Sequence, residues 1–279
     1  MRSNRTLFLA ACLCTFAAAG AGSLQEPGPG NSHARAAQPF SIGEKLVYRV
    51  KWDPPWYLFF LPEMEAGELT LHLAGETEYK NKKALKIVFK ARSSGMLMKL
   101  AKMKIEDEFV FLSEPESFCS FNVSQKIREG KRKRQIDVDY LRDTNQLHIQ
   151  VLDESVDPPQ IKKDEIKNDI PSCVQDPFSA LYLFRRNELR QQHIQTFTIG
   201  NDDKFKEVQA RVEKRETLDT AFGRLAAWNV QTTALKGGLF REGGQFRIWL
   251  SADERKLPLQ FEAKVGIGKV LGKLVTEDP

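Results

Sequence analysis

Apolar residues recur at every second position through most of this chain. Leu46, Tyr48, Val50 and Trp52 alternate with charged or smaller residues, and so do Leu69, Leu71 and Leu73, then Leu85, Ile87 and Phe89, then Met103, Ile105, Phe109 and Phe111. The same period runs through Phe121, Val123 and Ile127, through Ile136, Val138 and Tyr140, and through Leu147, Ile149 and Val151. Each run puts its apolar side chains on one face, as a half-buried antiparallel strand requires. Glu129-Gly130 and Asp143-Thr144-Asn145 lie between runs and read as hairpin turns. Pro158, Pro159 and Pro171 bracket a polar, extended passage. Alternation then resumes in Phe197/Ile199, Val208/Ala210/Val212, Trp228/Val230/Thr232, Phe246/Ile248/Leu250, Leu257 to Val265, and Val270 to Leu274.

One stretch changes period. In Gln175–Arg186, Asp176 is placed to cap a helix and Pro177 to occupy its first position, where a missing N–H leaves no bond unmade. Phe178, Leu181, Tyr182 and Arg185 follow at i, i+3, i+4 and i+7, so three apolar bodies and a guanidinium share a face. The spacing predicts a helix around 177–190. About twelve strands and one helix predict a mainly β fold, a strongly curved antiparallel sheet or partly closed β-barrel with the helix on its concave side. A membrane barrel is disfavoured, because the outward positions are mostly Lys, Arg, Glu or Gln rather than an apolar band.

The first residues set the compartment. Arg2 and Arg5 precede an apolar run from Leu7 to Ala19, followed by small-x-small sites, which is the pattern of an export signal cleaved after Ala19 or Ala21. Leu9-Ala10-Ala11-Cys12 resembles a lipobox, but the apolar run before Cys12 is short, so periplasmic release is favoured over a lipid anchor at Cys12. Residues 20–39, rich in Gly, Pro, Ala and Ser, read as a flexible linker, and 40–279 as a single β-rich domain, since no second linker follows. Signal removal takes Cys12 and Cys14 with it and leaves Cys119 and Cys173 in an oxidising compartment. A disulfide is allowed there, and so are two buried thiols. The formal net charge falls from +5 to about +3 with Arg2 and Arg5, too weak a balance to select a partner.

Several spaced motifs carry a resemblance. Phe40, Ile42, Gly43, Glu44, Leu46 and Tyr48, then Asp176, Ser179, Leu181, Tyr182 and Arg185, then Trp249, Leu250, Ser251, Asp253, Arg255 and Pro258 resemble the bacterial exported family known as domain of unknown function 3108. Ala221-Phe222-Gly223 with Trp228 is similar to the hairpin before that family's final strands. The resemblance covers about Phe40 to Leu274 and implies an envelope protein with a β-rich fold. It implies no reaction. Asp176, Ser179, Trp249 and Asp253 are read as structural residues. The long aromatic segment after Trp52 departs from the simplest form of the pattern.

That segment is the first candidate site. Trp52-Asp53-Pro54-Pro55-Trp56-Tyr57-Leu58-Phe59-Phe60-Leu61-Pro62 is broken by prolines and cannot be a central strand, yet it is almost wholly apolar. It either folds over an open end of the sheet as core, or it forms a lid or membrane-contacting rim, with Trp52, Trp56, Tyr57, Phe59 and Phe60 touching an apolar ligand. Asp107 shares parity with Ile105 and Phe109, so an acid points to the apolar side and needs a partner. Arg185 is the expected partner, with Tyr182 beside it, either as a structural pair or as an anchor for a ligand headgroup.

Other features carry less. Successive residues of Lys131-Arg132-Lys133-Arg134 face opposite sides of a strand, so this is a solvated hairpin and no nucleic-acid site. Gly266, Gly268 and Gly272 lack the strand-to-helix context of a dinucleotide fingerprint. His33, His72, His148 and His193 are scattered, with no HExxH, no paired-cysteine motif and no GxSxG, so neither a metal site nor a cofactor nor an enzyme is expected. The sequence therefore predicts a non-enzymatic exported protein that binds a lipid or other amphiphile in a concave sheet. An envelope scaffold with a filled core, holding a protein partner, is the alternative.

Overall fold

The computed structural model describes residues 38–58, 60–95, 104–232, 246–264 and 268–278. Readings that fall on the export signal, Cys12, most of the linker, Phe59, Met103, His33 and Gly266 lie outside the described residues. Fourteen strands form one antiparallel sheet. They are β1 (Lys45–Asp53), β2 (Met64–Tyr79), β3 (Lys82–Ser93), β4 (Glu106–Ser113), β5 (Ser120–Glu129), β6 (Arg132–Leu141), β7 (Gln146–Asp153), β8 (Gln160–Lys167), β9 (Ile194–Asn201), β10 (Lys204–Thr220), β11 (Gly223–Thr232), β12 (Phe246–Ser251), β13 (Pro258–Lys264) and β14 (Lys269–Asp278). Among the described residues one α-helix has its full range, α1 (Pro177–Arg186), between β8 and β9 in the chain.

The spatial order is β8 through β1, then β14 down to β9. Each strand thus pairs with its sequence neighbour, except that β1 pairs with β14 in the middle and the two edges, β8 and β9, are consecutive in sequence. The curled sheet brings those edges toward each other without a backbone ladder. Lys163 Nζ on β8 meets Asp203 Oδ2 at 2.8 Å, Lys167 Nζ donates to the Asp203 carbonyl at 2.6 Å, and Gln125 Nε2 on β5 donates to Asp202 Oδ1 at 3.1 Å. At the seam Gln175 pairs in parallel with Ile199, its N–H donating to the Thr198 carbonyl at 2.8 Å. The barrel is partly closed, by these side chains and the single main-chain bridge at Gln175.

Helix α1 occupies the concave side between two walls. Tyr182, with the half-buried Phe178 and Leu181, joins the core lined chiefly by β1–β7, β13 and β14, with Ala227 of β11 and Trp249 of β12, while Ala180 and Phe184 join a second cluster drawn mainly from β9–β12. Phe178 stacks on Phe89 with centroids 4.6 Å apart and lies 5.3 Å from Phe111. Because the helix is buried on both sides, its start must be satisfied internally. Asp176 Oδ1 accepts from the N–H groups of Phe178 (3.0 Å) and Ser179 (2.9 Å), its own N–H donates to Ser120 Oγ (3.1 Å), and Ser179 Oγ lies 3.2 Å from Ser113 Oγ. Arg185 and Arg186 in the last turn complement the helix dipole. The helix stops at Arg186, shorter than the predicted span, because Asn187 is extended.

One strand, β8, is present beyond the thirteen runs of alternation. β8 has no buried residue, so it carries no alternation for the sequence to show, and Ile161 and Ile166 are exposed on it.

Candidate functional site

The sheet has two unlike ends. At the first, residues 38–44 and the loop between β4 and β5 meet the helix. Arg185 is completely buried, and its guanidinium makes four hydrogen bonds: Nη1 to Glu44 Oε1 (2.6 Å), Nη2 to Glu44 Oε2 (2.7 Å), and Nη2 to the carbonyls of Pro39 (3.2 Å) and Arg255 (3.1 Å). Tyr182 Oη donates to Glu44 Oε1 at 3.0 Å. Burial disfavours the charged guanidinium, but the hydrogen bonds and charge of Glu44 outweigh it and hold the Arg185 pKa above its usual value. Phe40 sits edge-on to Tyr182 at 4.8 Å, and Phe118 stacks parallel to it at 6.4 Å. Cys119 and Cys173 are joined by a disulfide, Cα–Cα 5.1 Å, tying the β4–β5 loop to the entry of the helix. This end is plugged.

The expected Asp107–Arg185 pair is therefore not made. Glu44 takes the arginine instead, since it stands at the start of β1 where the last turn of α1 arrives, whereas Asp107 starts β4 at the other end.

That other end is the rim. β1 reaches Trp52 and Asp53, whose partners are Met64 and Lys269, and the aromatic segment arches between β1 and β2. Leu58 N–H donates to the Pro55 carbonyl and Leu61 N–H to the Leu58 carbonyl, both at 2.8 Å, giving one tight turn over Trp56–Leu58 and another after it. The turns sort the side chains. Leu58 and Leu61 pack against the main core, while Trp56, Tyr57 and Phe60 are 86 %, 53 % and 67 % exposed. The Trp56 and Tyr57 rings stand edge to face at 6.0 Å. The stem is firm: Lys51 Nζ meets Glu63 Oε2 at 2.7 Å, and Gly268 (φ +81°) approaches so closely that a Cβ there would lie 2.2 Å from the Asp53 carbonyl oxygen. Gly95 (φ +85°) abuts the Glu65 carbonyl in the same way. The predicted site residue Trp52 is buried beneath this loop.

Just inside the rim, two acids face the core side. Asp107 Oδ1 accepts from the Arg128 N–H at 2.7 Å and Oδ2 has no partner among the described residues. Glu129 Oε2 pairs with Arg132 Nη1 at 2.9 Å and its Oε1 has none. Burial pushes both carboxyls above their usual pKa, and the charge of Asp107 pushes Glu129 further, against the pull of the Arg128 N–H and of Arg132. Glu129 was not singled out from the sequence, although it shares parity with Ile127. Among the described residues no group of three or more His, Cys, Asp or Glu side chains could hold a metal ion.

The remaining predicted residues do not converge on the rim. Asp176 and Ser179 serve the helix cap. Trp249 Nε1 donates to Glu216 Oε1 at 2.6 Å, and Ser251 Oγ donates to Asp253 while accepting the Leu257 N–H at 2.7 Å, which folds the β12–β13 turn. No helix of the described residues is long and apolar enough to cross a membrane.

The family model described as "Protein of unknown function (DUF3108)" matches residues 47–275. No curated protein matches the chain. Among solved structures, a beta-barrel-like protein of domain of unknown function DUF1849 from Brucella abortus is similar in fold, with a TM-score of 0.54 and 11 % identity over 85 % of this chain and 97 % of that one. A protein with a YmcC-like fold from Bacteroides fragilis matches at a TM-score of 0.34 and 9 % identity, over 86 % of this chain and 98 % of that one.

Proposed function

The chain belongs to the DUF3108 family of proteins of unknown function, and we propose that it is an exported envelope protein whose rim takes up an amphiphile. The exposed trio of Trp56, Tyr57 and Phe60 carries this reading. Large apolar side chains held outward on a buttressed loop lose their hydrophobic stabilisation unless something covers them, and aromatic rings with a polar edge suit the boundary between water and acyl chains. Asp107 and Glu129 face the core side at the start of β4 and the end of β5, each with an oxygen that can only accept when ionised. The polar end of the ligand should therefore donate, through an amine or hydroxyl. Arg185 and Tyr182 leave the candidate ligand site, because their hydrogen bonds go to Glu44 and the plugged end.

Periplasmic localisation rests on the Arg2–Ala19 pattern and is supported by the Cys119–Cys173 disulfide, which persists in oxidising compartments. The scaffold alternative draws on the close packing around α1, where side chains from both walls surround the helix. Native mass spectrometry on the mature protein recovered from a bacterial envelope without detergent separates the two. A stoichiometric amphiphile, lost on the triple substitution Trp56→Ser, Tyr57→Ser, Phe60→Ser, is the expected result. A bare mass that takes up no added lipid would favour the scaffold.

A further inference from the structure

The outer face of the sheet, which the rim reading does not use, carries a second feature. Three successive rungs across β1, β2 and β3 align Lys45, His72 and Val88, then Val47, Thr70 and Lys90, then Arg49, Glu68 and Arg92. Cross-strand partners share a face, so these side chains stand side by side on the solvent side, with Lys86 on the same strand face two positions before Val88. Between them lies a cavity of about 350 Å³, lined by Lys45, Lys90 and Arg92 with Thr70, His72, Glu68 and Val88.

The charges converge. Lys90 Nζ meets Glu108 Oε2 at 2.8 Å on the neighbouring strand, so within the lining Lys45 and Arg92 stand against Glu68, with Lys90 shared with Glu108. The groups that report the local field agree on its sign. The His72 imidazole is held below its usual pKa by burial and then by Lys45, Lys86 and Lys90, and the Glu108 carboxyl is drawn down by its bond to Lys90 and by the charges of Lys90, Lys126 and Lys86. All three strands are flanked by paired neighbours on both sides, so the side chains project from rigid backbone.

We propose that this cavity binds a phosphate group, as a free anion or as the headgroup of an anionic lipid, through Lys45, Lys90 and the planar fork of Arg92. The Thr70 hydroxyl supplies a neutral donor, and Val88 forms an apolar floor. An arginine fork with point-charge lysines around a concave surface matches the several oxygens of a phosphate better than a single carboxylate. Concavity focuses the positive field on the bound group.

His72 makes the test direct, because a phosphate beside it offsets the lysine field and moves its titration up. Imidazole NMR resonances of the full mature chain would be followed against pH at low salt, with and without inorganic phosphate, using His148 in the same spectrum as the control. The expected result is an upward shift confined to His72. Phosphate affinity should fall about tenfold or more in the K90Q/R92Q double variant, and hold in K131Q, which removes the same kind of charge from the distant β5–β6 turn. Sedimentation with phosphatidylglycerol vesicles, lost in K90Q/R92Q, would identify a lipid headgroup as the source. A His72 response without vesicle binding would identify free phosphate. An unmoved His72, or equal weakening in K131Q and K90Q/R92Q, would overturn the site.

Discussion

At the plugged end a buried cation is answered by a bidentate carboxylate and two carbonyls, a phenol donates to the same carboxylate, and a disulfide fastens the neighbouring loop to the helix. At the rim, buried acids keep oxygens without partners and three large aromatic side chains stand in solvent. Both ends belong to one sheet and share its strands, so the difference does not come from fold class. It marks which end is organised for stability and which leaves interactions to be completed from outside. The contrast is one of degree: Arg185 Nε has no hydrogen-bond partner among the described residues, but its charge is met by Glu44, whereas the Asp107 carboxylate has one backbone N–H and no ion-pair partner among the hydrogen bonds it makes.

The comparison predicts unequal responses to substitution. Arg185→Gln should cause the largest loss, about 3–5 kcal/mol, because Glu44 would remain buried without its partner. Urea denaturation measures it, and a loss below about 1 kcal/mol would place the ion pair outside the structural framework. Replacing Cys119 and Cys173 together with Ser should cost about 2–4 kcal/mol, since the bridge closes a long loop in the unfolded chain. The sequence separation is 54 residues. Reduction of the native protein should reproduce that shift in melting temperature, with the rim exposed as before.

Asp107→Asn sharpens the contrast. Its folded pKa is raised by burial, so its favourable contribution is complete below the unfolded carboxylate range and is lost as pH rises through the folded value. Asn keeps an acceptor for the Arg128 N–H without the buried charge. Near pH 7 the variant should equal or exceed the native protein by up to about 1 kcal/mol, with the gain fading toward pH 4. A large loss at pH 7 would show that the charge is used within the fold.

Much of this architecture is legible in the chain, and the gaps have physical causes. Alternation located thirteen strands because one face of each is buried. β8 escaped because solvent covers both of its faces and only pairing with β7 makes it a strand. The helix start was readable because capping is local, but the partner of Arg185 was not, since the pair spans 141 residues. A cue existed nonetheless. Glu44 shares parity with Leu46, Tyr48 and Val50, which is the same sign of an acid on an apolar face that drew attention to Asp107. At the rim, the apolar character of Trp56 to Leu61 was plain, but which side chains turn outward depends on the two tight turns.

That division within one loop gives the finest test. Trp56→Ser, Tyr57→Ser and Phe60→Ser remove side chains that are mostly in water already, so their combined effect on unfolding free energy should stay within about 0.5 kcal/mol. Leu58→Ser and Leu61→Ser take apolar contacts from the main core and should cost about 1–3 kcal/mol together. If the outward trio is retained for binding, amphiphile uptake follows the first set of substitutions and stability follows the second. Uptake that survives loss of the trio, or stability that falls with it, would make the loop an ordinary cover for the core and return the rim to the same category as the plugged end.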